Sequence, residues 1–193
     1  RFCDVFFSLL GLIVLSPIFV IIALCIVLDS RGGVFYRQVR VGRDGKDFRL
    51  FKFRSMASGA DKKGLITVGA KDSRVTRVGY FLRKYKLDEL PQLLNVVRGE
   101  MSLVGPRPEV RKYVDMYTVE QRKVLAVAPG ITDYASIEYA DENTILGQAR
   151  DPDRAYVEQI MPDKIRYNMK YIDNRCLKEY FKIIFLTLMK IVK

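Results

Sequence analysis

The 193-residue chain is long enough for one domain with its own core, and 33 Lys and Arg against 22 Asp and Glu leave a net charge of +11. That excess favours an anionic partner: nucleic acid, a phosphorylated small molecule or an anionic membrane surface. The absence of histidine excludes imidazole bases, Ser-His and Cys-His dyads and histidine metal sites, while Cys3, Cys25 and Cys176 lack metal-ligand spacing and fit a reducing compartment.

The first predicted element is apolar. Val5 to Leu28 carries no charge and as a straight helix would reach about 36 Å, against roughly 30 Å of bilayer hydrocarbon. It reads as a membrane segment, not a signal peptide, because the run is long and no small-residue cleavage site precedes Asp29. Ser16-Pro17 lies at its middle, where proline removes a backbone hydrogen bond and bends the helix. A bent helix spans the bilayer or dips in and returns, and helix physics leaves both open. The basic bulk beyond it places the remainder on the cytoplasmic side by the positive-inside rule. The sequence begins at Arg1 without methionine, which leaves room for residues upstream.

Gly32-Gly33 breaks the pattern, and Val34 to Met56 reads as a hairpin with Arg43-Asp44-Gly45-Lys46 at its turn and Phe48 to Phe53 returning. Lys52 and Arg54, two apart on that strand, share a face that is either simply solvated or part of a site. Ser58 to Asp72 is polar and reads as a mobile loop. Helical spacing resumes from Arg74 to Tyr85 through Val75, Val78 and Leu82.

The stretch Leu82 to Val97, LRKYKLDELPQLLNVV, sets adjacent carboxylates Asp88 and Glu89 among Arg83, Lys84 and Lys86, ahead of the apolar run from Leu93. Proline is tolerated in a first helical turn, so Pro91 marks Asp88 and Glu89 as the opening residues of a helix, in the positive end of its macrodipole. Acidic residues there cap helices, at about 0.5–2 kcal/mol for a good cap. The functional reading is a carboxylate kept ionised as a nucleophile, in surroundings that also attract phosphate.

Pro106-Arg107-Pro108 follows, with two prolines fixing the arginine's backbone in an extended form. A helix beginning near Pro108 places Val110, Tyr113, Val114 and Tyr117 on one face and ends at Pro129-Gly130. Ile131 to Asp153 reads as a long polar and aromatic loop, and a final helical region runs from about Asp163. Its end, Tyr180 to Lys193, is too short and lysine-studded to span a bilayer; it lies in the membrane interface or packs as a core helix.

Taken together, the Ser16-Pro17 helix, Gln38-x-Arg40-x-Gly42, Lys52-Phe53-Arg54-Ser55-Met56, Leu87-Asp88-Glu89-Leu90-Pro91-Gln92-Leu93 with Asn95, Ser102 to Pro108, and Pro129-Gly130-Ile131-Thr132 resemble the bacterial sugar transferase family, the monotopic polyprenyl-phosphate phosphoglycosyl transferases. The resemblance implies transfer of a sugar-1-phosphate from a UDP-sugar to undecaprenyl phosphate, with UMP released and Mg²⁺ required, as a first membrane step of bacterial glycoconjugate assembly. It implies Asp88 as the covalent nucleophile and Glu89 as an aid to acceptor attack, both candidates for the metal. Lys52, Arg54, Arg83 and Arg107 are implied at the phosphates or substrate, with Ser16, Pro17, Pro106 and Pro108 as structural motif residues. It further implies a re-entrant helix over residues 1–31 and a cytosolic transferase domain over 32–193, of α+β class, with a small antiparallel hairpin and interfacial amphipathic helices. The expected location is the bacterial inner membrane with the site on its cytoplasmic face. Partners are the UDP-sugar, the lipid acceptor and anionic phospholipid, with self-association into a homodimer allowed and nucleic acid excluded.

Two departures stand out. Members often carry an acidic residue in the stretch reading Lys178-Glu179-Tyr180-Phe181, where Tyr180 takes that place, and Asp133-Tyr134-Ala135-Ser136 replaces a Gly-Trp/Leu pattern near where the sugar is chosen. The competing readings are a membrane-anchored basic binding module and a scaffold without catalysis. Neither accounts for the Asp-Glu pair or the Pro-Arg-Pro clamp, and no aromatic-glycine RNA-binding signature is present.

Overall fold

The computed structural model describes residues 1–60 and 72–192; most of the predicted Ser58 to Asp72 loop thus lies outside the described residues. The chain opens with α1, Phe2–Asp29, one uninterrupted helix that contains Pro17. Only 11% of its most apolar window is buried, which sets it apart from the core helix of a soluble domain. Pro17 lacks the N–H that the carbonyl of Ile13 would accept, and the Ser16 hydroxyl donates to that carbonyl at 2.8 Å instead. The Ser-Pro pair therefore repairs the defect that its own proline creates.

Both ends of α1 are tied to the rest of the molecule. Asp4 is buried and accepts from the Ser102 hydroxyl at 2.8 Å, the Leu103 N–H at 2.9 Å and the Tyr180 hydroxyl at 2.8 Å. Arg1 donates to the carbonyls of Met101 and Val96. At the far end Asp29 accepts from the Val78 N–H at 3.0 Å. Arg54 also closes that end, donating to the carbonyls of Ser30 at 2.7 Å, Arg31 at 2.8 Å and Gly33 at 2.6 Å. A guanidinium is suited to this task, because its several N–H donors can satisfy a run of carbonyls where the chain leaves regular structure.

The predicted hairpin is present: β1, Phe35–Val41, pairs antiparallel with β2, Asp47–Phe53, through a turn in which Asp44 (φ 56) and Gly45 (φ 73) take the left-handed conformation. Met56 bridges to Val75, so α2 starts at Arg77 rather than Arg74 and runs to Lys84, capped by the Thr76 hydroxyl. Leu87–Glu89 forms a 3₁₀ turn and α3 follows as Gln92–Arg98, with Pro91 at its N-cap. Asp88 and Glu89 thus precede the α-helix that the sequence has them open. Asn95 stitches α3 to β2, accepting from the Phe51 N–H at 2.9 Å and donating to the Arg49 carbonyl at 2.8 Å.

A second, parallel pair joins β3, Ser102–Val104, to β4, Gly130–Thr132. Hairpin signals cannot reveal it, because a parallel pair has no local turn. The helix expected after Pro108 is a single turn, α4, Arg111–Val114, which buries Val110, Tyr113 and Val114. The stretch Ile131 to Asp153 is not a loop. It contains β4, α5 (Tyr134–Glu138) and α6 (Glu142–Gln148), while α7 (Pro152–Ala155) begins at its end. Helices this short show no repeating apolar face in sequence, and tertiary packing holds them instead. Asp133 and Asp151 cap α5 and α7, and Leu146 of α6 is buried. The final helical region accordingly starts near Pro152, passes through a π-turn at Tyr156–Ile160 into α8, Met161–Asp173, and resumes as α9, Leu177–Val192.

The fold is a mixed α and small-sheet domain with two separate cores beside the site. Ile22 and Ile26 of α1 pack with Phe53 and Leu82. Val110, Tyr113 and Leu146 pack with Tyr156, Ile160, Met161 and Ile165. On α9, Tyr180 and Ile183 are buried while Phe181, Phe185, Leu188 and Met189 are exposed, with Phe181 edge-on to Phe7 of α1 at 6.0 Å.

The β3–β4 junction depends on two glycines in near contact. A Cβ at Gly130 would stand 2.1 Å from the Gly105 backbone nitrogen, and one at Gly105 would stand 2.6 Å from the Ala128 oxygen. Gly130→Ala is therefore expected to destabilise the protein by about 1–3 kcal/mol or more, by forcing the backbone apart. Thermal unfolding in detergent checks this, with Gly45→Ala at the open hairpin turn as the comparison expected to cost less.

Candidate active site

The cleft between the two cores measures about 560 Å³ and is lined from β1, β2, α2, the 3₁₀ turn, the Pro106–Pro108 segment and helices α5, α6 and α8. Arginine and lysine outnumber aspartate and glutamate along its walls, an arrangement suited to a multiply charged anion.

Glu89 stands at its centre. The Lys52 ammonium donates to Glu89 Oε1 at 3.0 Å, and Arg107 grips the same carboxylate with both terminal nitrogens, Nη1 reaching Oε2 at 3.1 Å and Nη2 reaching Oε1. Burial would push Glu89 up, but the Arg107 and Lys52 charges outweigh it and hold the carboxyl well below the usual range. Arg107 is held firmly protonated by the same pair, whereas burial pushes Lys52 down despite Glu89. The prolines fix the extended backbone of Arg107, and its N–H donates to Asp133 Oδ2 at 2.9 Å, so the side chain's origin is fixed from two directions.

Asp88 is different. In a 3₁₀ turn successive residues diverge by about 120°, so its carboxylate leaves Glu89's direction and lines the cleft. It is 7% exposed, and among the described residues it makes no hydrogen bond or ion pair. Burial raises its pKa, with Glu89 adding to the rise and Lys52, Arg83 and Arg107 opposing it. The expectation that cations and a helix dipole favour its charge is thus reversed in balance: desolvation wins over their pull.

Arg83, at the end of α2, lines the cleft and acts on Asp88 electrostatically. Arg54 shares the wall, but its donors are taken chiefly by carbonyls of the Ser30–Gly33 segment that leaves α1, so its place is to hold that exit. Ser16 and Pro17 lie within α1 and do not line the cleft, whereas Pro108 does, and Pro106 holds β4 by accepting from the Gly130 N–H at 2.9 Å.

Several cleft residues were given no role from sequence. Arg40 donates to Gln38 Oε1 at 2.8 Å, to the Pro108 carbonyl at 3.1 Å and to Glu109 at 3.2 Å, while Tyr156 donates to Glu109. Glu142 of α6 pairs with Lys164 of α8 at 2.8 Å. Strand alternation is the signal that finds two of these: Tyr36 lies opposite Lys52 in register, so Gln38 and Arg40 share the face of Lys52.

A divalent cation finds no cage here: among the described residues no three Cys, Asp or Glu side chains gather to hold a metal. Mg²⁺ needs no such cage, since one or two carboxylates with substrate phosphates and water suffice. Asp88 fits that role because its oxygens are uncommitted, whereas both oxygens of Glu89 already accept from cations.

The bacterial sugar transferase family matches residues 1–193, and the chain belongs to that family. It is 36% identical over 195 residues to a UDP-N-acetylgalactosamine-undecaprenyl-phosphate N-acetylgalactosaminephosphotransferase of Aeromonas hydrophila, covering 100% of this chain and 43% of that protein. It is 40% identical over 193 residues to a UDP-glucose:undecaprenyl-phosphate glucose-1-phosphate transferase of Klebsiella pneumoniae, covering 98% of this chain and 39% of the relative. An uncharacterized sugar transferase, EpsL, of Bacillus subtilis (strain 168) is 38% identical over 82% of this chain and 70% of its own length. The chain thus spans less than half the length of the Aeromonas and Klebsiella relatives.

The two carboxylates make opposite predictions for stability. Glu89→Gln leaves the Arg107 and Lys52 charges uncompensated and is expected to cost roughly 3 kcal/mol, the low end for a buried pair because Arg107 keeps some solvent. Asp88→Asn removes a carboxylate whose charge burial disfavours, so its unfolding midpoint is expected at or above that of the wild type. The signs differ with pH as well. The Glu89 contribution is complete above the unfolded carboxylate pKa and drains as pH falls through the lower folded value, while Asp88 disfavours folding increasingly as pH rises. Thermal scans of both variants across the acid range check this.

Proposed function

We propose that this protein transfers a sugar-1-phosphate from a UDP-sugar to undecaprenyl phosphate through a covalent intermediate on Asp88. The observation that carries the proposal is the contrast within the dyad: Glu89 is clamped by Lys52 and Arg107, while Asp88 faces a cation-lined cleft with its oxygens uncommitted.

The chemistry divides into two displacements at one phosphorus. An Asp88 oxygen attacks the phosphorus nearer the sugar, and the bond from that phosphorus to the bridging oxygen breaks, its electrons leaving with UMP. A phosphate oxygen of the lipid then attacks the same phosphorus. The acyl-phosphate P–O bond breaks and the Asp88 carboxylate returns. Lys52, Arg83 and Arg107 offset the charge on the transferred group. As Lys52 and Arg107 turn toward phosphate oxygens their hold on Glu89 weakens, which raises its pKa toward that of a base able to take a proton from the acceptor. Asp88 would hold Mg²⁺ when the ion is bound, and the ion would supply further charge neutralisation for the diphosphate.

Membrane placement follows from α1. Asp4 and Arg1 fix one end of this apolar helix, and Asp29 and Arg54 the other, to the same folded unit. A helix held at both ends by one domain supports the re-entrant reading, bent at Ser16-Pro17 with both ends on the cytoplasmic face of the inner membrane. The exposed apolar face of α9, in ring contact with α1, supports an interfacial position against anionic phospholipid. The acceptor then keeps its tail in the bilayer while its phosphate reaches the cleft.

Intact-protein mass spectrometry after mixing solubilised protein with Mg²⁺ and a panel of UDP-sugars, without acceptor, tests the proposal. A mass gain of one phosphosugar in the wild type and none in Asp88→Asn is expected, with turnover in the variant falling at least about 10³-fold. Turnover on adding undecaprenyl phosphate without any adduct would indicate direct displacement instead, and neither adduct nor turnover would remove the enzyme reading.

A further inference from the structure

The cleft has two ends, and in-line chemistry divides the substrates between them. Asp88 attacks opposite the departing UMP, and the acceptor phosphate then attacks opposite Asp88. UMP and the acceptor phosphate therefore use the same side of the transferred phosphorus in turn. The acceptor's tail belongs to the bilayer with α1, and the cleft end that touches α1 is lined by Gly33, Arg54 and Ser58, with the Ser58 hydroxyl donating to the Arg31 carbonyl at 3.2 Å. The sugar stays on an equatorial oxygen of that phosphorus throughout and is left with the part of the cleft away from α1, lined from α5, α6 and α8.

We propose that this end is the sugar subsite, and that Glu142 and Lys164, with Ser136, read the hydroxyl groups of a neutral sugar. The Glu142–Lys164 pair joins α6 to α8 at 2.8 Å with side chains 26% and 12% exposed, and both residues face the cleft. Lys164 also lies over the Tyr156 ring at 5.3 Å, which holds it in place. Beside them Ser136 lines the cleft with a buried hydroxyl that has no hydrogen-bond partner among the described residues. A carboxylate accepts from a sugar hydroxyl, an ammonium donates to one, and a serine hydroxyl does either. Tyr139 and Leu146 supply apolar walls for the ring's C–H faces. The Glu142–Lys164 pair is neutral as a unit and leaves no unpaired cation for the carboxylate of a uronic acid, which suits a neutral sugar.

This inference rests on the transferase reading, and its test separates the two. Wild-type protein is assayed with Mg²⁺, undecaprenyl phosphate and UDP-glucose, UDP-galactose, their N-acetylated forms and UDP-glucuronic acid, with UMP inhibition measured in parallel. Glu142→Gln and Lys164→Met are expected to compress the kcat/KM ratio between the best and worst neutral donors by at least about tenfold, the share of a hydrogen bond to a charged group, with the UMP inhibition constant unchanged. Ser136→Ala removes only an unpartnered hydroxyl, so it is expected to raise KM for the preferred donor at an unchanged unfolding midpoint; it keeps the test decisive where the ion-pair variants fail to fold. An equal loss for every donor with weaker UMP inhibition, or unchanged ratios and KM in all three variants, would overturn the assignment while leaving the transferase reading in place. A wild type that turns over none of the UDP-sugars overturns both.

Discussion

The grip of Lys52 and Arg107 on Glu89 is the interaction on which the site depends. It joins β2, the 3₁₀ turn and the Pro-Arg-Pro segment, three stretches far apart in sequence, and it neutralises a buried carboxylate that would otherwise be costly. Its chemical effect falls on the neighbour. By taking up the nearest cations, Glu89 leaves Asp88 facing the cation-lined cleft with no hydrogen bond or ion pair among the described residues, and burial raises its pKa. The same two cations line the cleft, where they would pair with the phosphates of the proposed donor.

A second constraint is the anchoring of α1. An apolar helix in a bilayer has no hydrophobic drive to stay against its own domain, so polar contacts at its ends must fix it there. Asp4 does so at one end and Arg54 at the other. The position of Tyr180 gains meaning in this light. Its hydroxyl donates to Asp4 and so ties α9 to the start of α1. Fixing α1 also fixes β2, because Phe53 packs on Ile22 and Ile26 one residue from Lys52. The apolar helix and the Glu89 clamp are in that sense one assembly.

Much of this was legible in the sequence where the signal is local. Asp44-Gly45 marked the hairpin turn, the charge-free run marked α1, and Leu87 to Gln92 marked the dyad ahead of a helix. What was missed depends on distant partners. Nothing local tells Arg54 that its carbonyl acceptors lie at the end of α1, or pairs β3 with β4 across the intervening helical turns. The 3₁₀ geometry of Leu87–Glu89 was likewise hidden, since α and 3₁₀ turns draw on the same residues, but either turn carries the Asp88 and Glu89 side chains apart, by about 100° or 120°. Between Ile131 and Asp153 the helices are too short for periodicity; the resemblance pointed to Asp133 to Ser136 as near where the sugar is chosen, but nothing local pointed to Glu142 or Lys164. Asp133 shows the difficulty: as a cap for α5 it follows local rules, but its second oxygen holds the Arg107 backbone, which no local pattern predicts.

The central claim is that two in-line displacements occur at one phosphorus, the first by Asp88. The stereochemical course at that phosphorus tests it most directly. A UDP-sugar carrying one non-bridging sulfur at the sugar-side phosphate is chiral there, as is the lipid product formed from it. Two displacements return the original configuration, so the account predicts retention; inversion would contradict it, because a single attack by the lipid phosphate gives that outcome with Asp88 never bonded to the sugar phosphate.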